Sequence, residues 1–383
     1  MEPFKLSNGN PTRILAIHQG AELYGSDRSF AQCVQGIRKA FPDAQLDVKL
    51  GHNGPLEEFL RPHSDKIIID DLWIARKSRL FRLVLLGGPH LLWNVIRHAR
   101  DIWNYDLIYI NTIVVLDYVI LSLVMPKSSV IHVREIPDDS AFGKLMKFIV
   151  RSSKSLLICN SRATLEAYQP VKAGHGLVIH NGVNVERATM KKREKQDSFN
   201  IVVLGRISSW KGQDLLLHAI AQMPEKLKQR VKLKIIGSAF EGNEHLEREL
   251  HDFVAANALE TIVEFVPFTQ NVSAFYGWAD LVVNPSRKAE PFGRVIVEAM
   301  ANALPVVAAA HGGPLEIVEN DKTGLLFTPN DASSLADSLA RLAQDADLCT
   351  EFRENGYKKY IEDFTEEKMQ TKLVDAIKTW IKH

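Results

Sequence analysis

Short apolar runs recur along this chain. Each gap between them is long enough for a helix, and the series occurs twice. The first series is TRILAIHQG (12–20), QLDVKL (45–50), KIIID (66–70), DLIYIN (106–111), SSVIHVRE (128–135), SLLICNS (155–161) and GLVIHNGV (176–183). Between the first two, SFAQCVQGIRKAF (29–41) carries apolar residues at helical spacing. A charged stretch with no strand pattern, 186–199, then reads as a linker. The second series is NIVVLG (200–205), VKLKIIG (231–237), IVEFVPF (262–268), ADLVVNPS (279–286), LPVVAAA (304–310) and TGLLFTP (323–329). Apolar runs that alternate with helix-length segments predict a parallel sheet buried under helices on both faces. The expected fold class is therefore α/β, with two tandem Rossmann-like doubly wound domains facing across a cleft. The first domain covers 1–183 and the second 184–365. The last segment, EEKMQTKLVDAIKTWIKH (366–383), is helical in pattern with no strand after it, and is free to pack back on the first domain. In such sheets ligands bind beyond the carboxyl ends of the strands.

At 383 residues the chain suits two or three ordinary domains. Cys33, Cys159 and Cys349 are far apart and odd in number, with no CxxC or Cys/His cluster. Neither a disulfide framework nor a structural zinc site is expected. The N-terminal residues MEPFKLSNGNPTRILAIHQG lack a charged-then-apolar leader pattern, and no apolar run approaches the roughly 20 residues that span a bilayer. A cytoplasmic location is expected.

Lys and Arg exceed Asp and Glu by 5 in residues 1–183 and fall short by 4 in 184–383. The excess is concentrated in RKSRLFRLVLLGGPHLLWNVIRHAR (76–100), where Arg76, Lys77, Arg79, Arg82, Arg97 and Arg100 flank Leu, Phe, Val and Trp. One reading is a pair of amphipathic core helices with solvated basic faces. The other is peripheral contact with an anionic membrane surface or an anionic acceptor. The chain as a whole is not basic, which argues against nucleic acid.

Two motifs carry chemistry. In VVLGRISSWKGQDLLLHAI (202–220) a strand ends at Gly205, Arg206 and Lys211 follow, and a helix begins after Gly212. A helix N-terminus with two cations is an anion site, and a guanidinium fork plus an ammonium suit a diphosphate. In VVNPSRKAEPFGRVIVEAM (282–300) Glu290 lies in a loop and Glu298 in the helix after it. Gly293 permits close backbone approach to a ligand. From the helical rise the two carboxylates stand roughly 10 Å apart. That is the scale of a nucleotide-sugar, one acid holding the sugar and the other the ribose. Glu298 also falls in a largely apolar stretch, where an unpaired acid would be costly.

These motifs resemble the retaining GT-B glycosyltransferases of the glycosyltransferase group 1 family, of the bacterial surface-polysaccharide type. The matching elements are GRISSWKG, PSRKAEPFGRVIVEAMANALPVVA, HGGPLEIV and TGLLF, which cover most of 200–330 in the family's order. The resemblance implies that Glu290 contacts the donor sugar and Glu298 the ribose. It also implies that Arg206 and Lys211 hold the diphosphate, and that Phe292 and Gly293 belong to the donor loop. HQGAELYGSDRSF (18–30) resembles the family's first glycine loop and gives Gly20 as a donor contact. IHVREIP (131–137) resembles the loop whose histidine approaches the sugar, giving His132 beside Glu290 as the catalytic pair. HNGVN (180–184) resembles the stretch joining the domains. Pro267 stands where many relatives have glycine, next to the base pocket, which leaves UDP- and GDP-linked donors both open.

The expected activity is retaining, metal-independent hexosyl transfer from a nucleotide-diphospho-sugar, with no cofactor. The acidic pairs Asp70–Asp71 and Asp138–Asp139 are not the DxD pattern of metal-dependent transferases. The first domain would take the acceptor, a glycan or lipid-linked glycan of lipopolysaccharide, O-antigen or capsule assembly, at the inner face of the plasma membrane. The alternatives are a nucleotide-sugar epimerase or soluble-saccharide synthase on the same fold, and a binding protein without catalysis.

Overall fold

A computed structural model describes residues 11–75, 88–125, 129–185, 198–240 and 242–382. The chain divides into two compact units, one of residues up to Gly182 together with the segment from Glu366, the other Val183–Thr365.

Among the described residues the first unit has seven strands: β1 (Arg13–His18), β2 (Gln45–Leu50), β3 (Lys66–Ile69), β4 (Leu107–Asn111), β5 (Ser129–Val133), β6 (Leu156–Cys159) and β7 (Gly176–Val178). They pair in parallel in the order β3-β2-β1-β4-β5-β6-β7. Side chains alternate between two cores. Ile14 and Ala16 of β1 enter one with Phe30, Cys33 and Ile37, while Leu15 and Ile17 enter the other with Tyr118 and Val119. This double burial is why β4 and β5 are buried at every position and are mostly apolar without alternation. The helix Glu366–Lys382 joins the first core through Met369, Leu373 and Ile377. Gln370 fixes it by donating from Nε2 to the Gln32 carbonyl and to Gln35 Oε1, each at 2.9 Å.

The second unit has six parallel strands: β8 (Phe199–Leu204), β9 (Val231–Ile236), β10 (Val263–Val266), β11 (Leu281–Asn284), β12 (Val306–Ala309) and β13 (Leu325–Phe327). Their order is β10-β9-β8-β11-β12-β13. The chain runs outward from β8, returns to pair β11 beside it, and runs outward the other way. A crevice therefore opens at the β8/β11 switch, beyond the strands' carboxyl ends. The chain enters this unit at Val183 and leaves it at Thr365 side by side, with the Val183 N–H donating to the Phe364 carbonyl at 2.9 Å.

One expectation from the sequence is inverted. The helix Gly88–His98 buries Asn94 and His98 and exposes Leu92, Trp93 and Ile96, each close to 60%. The burial of His98 follows from its partners: Nδ1 lies 2.9 Å from Asp117 Oδ2 and Nε2 lies 3.2 Å from Asp70 Oδ2. The outward face of this helix is thus apolar, not a solvated basic one. Residues 76–87, with Arg76, Lys77, Arg79 and Arg82, lie outside the described residues, as does most of the 186–199 linker.

Candidate functional site

The two motifs meet at the β8/β11 switch of the second unit. After β8, Gly205 (φ +144°) turns the chain and Gly212 (φ +75°) starts the helix Gln213–Gln222. A Cβ on Gly212 would sit 1.9 Å from the Pro285 carbonyl oxygen, so this loop rests directly on the one after β11. Arg287 ties them further, donating from its backbone to the Trp210 carbonyl at 2.7 Å and from Nη2 to Asp214 Oδ2 at 2.6 Å. Within the loop the Arg206 guanidinium stacks 3.3 Å from the centroid of the Phe240 ring, and Lys211 Nζ lies 4.3 Å from that of Trp210.

The decisive contact joins the motifs. Lys211 Nζ donates to Glu290 Oε1 at 2.5 Å, and Ser286 Oγ donates to the same oxygen at 3.1 Å. Glu290 is 5% exposed. Its backbone is clamped by the loop after β12, where the Gly313 N–H donates to the Glu290 carbonyl at 2.8 Å. Below it, Gly293 (φ +101°) starts the helix Arg294–Ala301. Neither this helix nor Gln213–Gln222 has a side-chain cap, so two amide ends converge on the switch point without one. Two further buried polar atoms here, Ser208 Oγ and Asn284 Oδ1, have no protein partner.

Glu298 is paired. Arg294 Nε donates to Oε1 and the Tyr276 hydroxyl donates to Oε2, both at 2.8 Å. That resolves the cost of an acid in this apolar helix, and each oxygen keeps a lone pair for a ligand hydroxyl. The Phe292 side chain is 3% exposed and packs edge-on to Phe364 in the core, so its backbone is what this donor-loop residue offers a ligand.

Gly20 and His132 stand in the other unit. Gly20 follows β1, and a Cβ there would meet Glu22 Oε2 at 2.9 Å. His132, in β5, is fully buried. Tyr276, Arg294 and Ser286 escaped sequence reading. Arg294 alone left a local signal, four residues ahead of Glu298 on one helical face.

Tyr276→Phe is expected to weaken any ligand held by Glu298 by about 0.5–1.5 kcal/mol, since the carboxylate loses one of its two orienting bonds. Glu298→Ala is expected to weaken nucleoside diphosphate and nucleotide-sugar alike. Calorimetry with both ligands checks this, and a loss confined to the nucleotide-sugar would assign Glu298 to the sugar instead.

Residues 185–359 match the model of the family described as glycosyl transferases group 1. A D-inositol 3-phosphate glycosyltransferase of Corynebacterium aurimucosum is 36% identical over 149 residues, 38% of this chain and 35% of that protein. The sucrose-phosphate synthase of Spinacia oleracea is 46% identical over 69 residues, 18% of this chain and 6% of that one. The chain thus aligns with well under half of either curated relative. Among solved structures, Anabaena Alr3699/HepE in complex with UDP and glucose superposes with a TM-score of 0.77 at 26% identity, over 94% of this chain and 98% of that one. WaaG, a glycosyltransferase involved in lipopolysaccharide biosynthesis, shares the fold at TM-score 0.71 and 15% identity, over 95% of this chain and 99% of that one. Two doubly wound units, with the Arg206–Lys211 and Glu290–Glu298 motifs gathered at the switch point of the second, give the chain the GT-B fold, and its residues 185–359 match the glycosyl transferases group 1 family.

Proposed function

We propose that the chain is a retaining glycosyltransferase that moves a hexose from a nucleotide-diphospho-sugar to a glycan hydroxyl without a bound metal. The observation that carries this reading is the Lys211–Glu290 pair, a cation suited to phosphate held against a buried acid suited to sugar hydroxyls. A donor whose phosphates draw Lys211 away leaves Glu290 free to accept from the sugar. UDP-linked donors are the first to test, because HepE was solved with UDP and glucose. The bond from the anomeric carbon to the diphosphate oxygen breaks while the acceptor oxygen attacks from the same face. The departing diphosphate takes the acceptor's proton. Arg206, Lys211 and the uncapped helix ends stabilise the charge that develops on the leaving group. Glu290 and His132 orient the sugar.

A thermal-shift panel of nucleotides and nucleotide-sugars identifies the donor, because a ligand that binds the folded state raises the melting temperature. Nucleotide release with and without glycan acceptors then tests transfer. Release that depends on acceptor and survives EDTA supports the reading; a changed sugar still attached to its nucleotide would make the protein an epimerase.

The acceptor we propose is a lipid-linked glycan of lipopolysaccharide, O-antigen or capsule assembly, met at an anionic membrane face. Trp103 is exposed, as are Leu92, Trp93 and Ile96, and on the same side of the sheet the helix Ala141–Ser152 exposes Leu145 and Phe148. The sequence just before the helix Gly88–His98 adds Arg76, Lys77, Arg79 and Arg82. Among the described residues no helix is long and apolar enough to cross a membrane, so the contact would be a surface one. The chain is expected to float with anionic liposomes at low salt and less so at high salt. Leu92, Trp93 and Ile96 changed to Ser together should cut binding at least about tenfold, given roughly 1.5–3 kcal/mol for each apolar side chain fully buried. No flotation at low salt would move the acceptor to a soluble saccharide.

A further inference from the structure

At the β1/β4 switch of the first unit the strand ends carry polar side chains that are fully buried: His18, Asn111 and His132. Arg134, just past β5, binds this group together. It donates from Nε to Asn111 Oδ1 at 2.7 Å and from Nη1 to Asn181 Oδ1 at 2.6 Å, and its Nη2 lies 3.7 Å from Cys33 Sγ and 3.4 Å from His132 Nδ1. The Tyr109 hydroxyl lies 2.6 Å from the same His132 Nδ1.

A guanidinium has no lone pair and can only donate. Burial raises the Tyr109 hydroxyl well above its ordinary range, so the phenol keeps its proton and can give it to the lone pair that the Arg134 contact requires on Nδ1. His132 Nδ1 therefore faces two donors and carries no proton. Burial, and after it the Arg134 charge, pushes the imidazole well below its usual range, so the ring stays neutral with its proton on Nε2. That Nε2 is buried with no protein partner. An unpaired buried N–H is expensive, and its natural occupant is an oxygen of a bound substrate.

We infer that Arg134 and Tyr109 are positioning residues that lock His132 in the Nε2–H tautomer, so that it donates a hydrogen bond to a substrate hydroxyl oxygen. The inference rests on the reading of His132 as a sugar-orienting group. It also gives that group a direction: Nε2 can donate but cannot receive a proton, so His132 is not the base that takes the acceptor's proton.

Long-range ¹⁵N NMR on the whole chain labelled at histidine reads the tautomer without any ligand. His132 is expected to hold its proton on Nε2 alone and not to titrate between about pH 5 and 8. The ionisable groups facing it are Tyr109 from β4 and Arg134, with Cys33 of the helix Gly25–Ala40 behind Arg134. Arg134→Gln is expected to raise the pH at which His132 protonates and to move the acid limb of turnover with it, short of the ordinary range because burial remains. Should Arg134→Gln not fold, Tyr109→Phe is expected to give a mixture of both tautomers. A wild-type proton on Nδ1, or a wild-type His132 that titrates there, overturns the assignment. Turnover separates the tautomer from the role. His132→Ala should lose roughly tenfold in kcat, and His132→Gln, which restores an N–H, should lose less. Wild-type turnover in both would overturn the sugar contact, and with it the role proposed for His132, whatever the spectrum shows.

Discussion

Glu290→Ala is expected to lower turnover by about 10²–10³-fold while leaving free nucleoside diphosphate binding near the wild-type level. The size follows from removing a preorganised polar group from a buried reacting centre. Glu290 is held on three sides: its carboxylate by Lys211 and Ser286, its carbonyl by the Gly313 N–H. Such a group pays its ordering cost in folding and needs no rearrangement when the sugar moves toward an oxocarbenium-like state. The nucleotide half is different. Without Glu290 the Lys211 ammonium loses its ion-pair partner and is free for the diphosphate, so affinity for the nucleotide alone should hold or rise slightly. Glu290→Gln keeps a hydrogen-bonding side chain beside Ser286 but loses the charge, and should fall between. Calorimetry with nucleoside diphosphate, beside acceptor-dependent nucleotide release, reads the two halves separately. Equal losses in both would show that Glu290 serves the nucleotide and not the sugar.

The fold was largely legible because strands buried on both faces read as near-continuous apolar runs. All thirteen runs became strands, and QLDVKL did so at its quoted limits. The grouping of Arg206, Lys211 and Glu290 was legible too, since doubly wound topology sends the loops after β8 and β11 to one place. What escaped depends on partners distant in sequence. Nothing near Glu298 announces Tyr276, which comes from another helix. Nothing near His98 announces Asp70 and Asp117, and without them the helix Gly88–His98 reads with its faces exchanged. That the Phe292 ring packs against Phe364 was not legible either, because that partner is distant in sequence. Arg134 was quoted within IHVREIP without a role. Its function is read only from the four side chains around it.

Lys211→Ala is expected to weaken nucleoside diphosphate and nucleotide-sugar together by about 1.5–3 kcal/mol, the range for a hydrogen bond to a charged group. That corresponds to roughly ten- to a hundredfold in dissociation constant. A second effect should appear with no ligand present. The Lys211 side chain is 21% exposed and that of Glu290 7%, so the variant leaves a nearly buried acid with only Ser286 among its side-chain partners. Breaking a fully buried pair from one side costs about 3–5 kcal/mol. The partial exposure of Lys211 scales this down to about 1–3 kcal/mol. Removing both residues removes the orphaned charge, so Lys211→Ala/Glu290→Ala should be less destabilised than the sum of the single variants. Binding should behave otherwise. The double variant should bind free nucleotide as weakly as Lys211→Ala, because Glu290 adds nothing to the diphosphate contact. Denaturant melts of the four proteins give the stability cycle, and calorimetry gives the binding cycle. Unchanged nucleotide affinity in Lys211→Ala would make the pair a structural clamp between the two loops and remove the ammonium from the phosphate site.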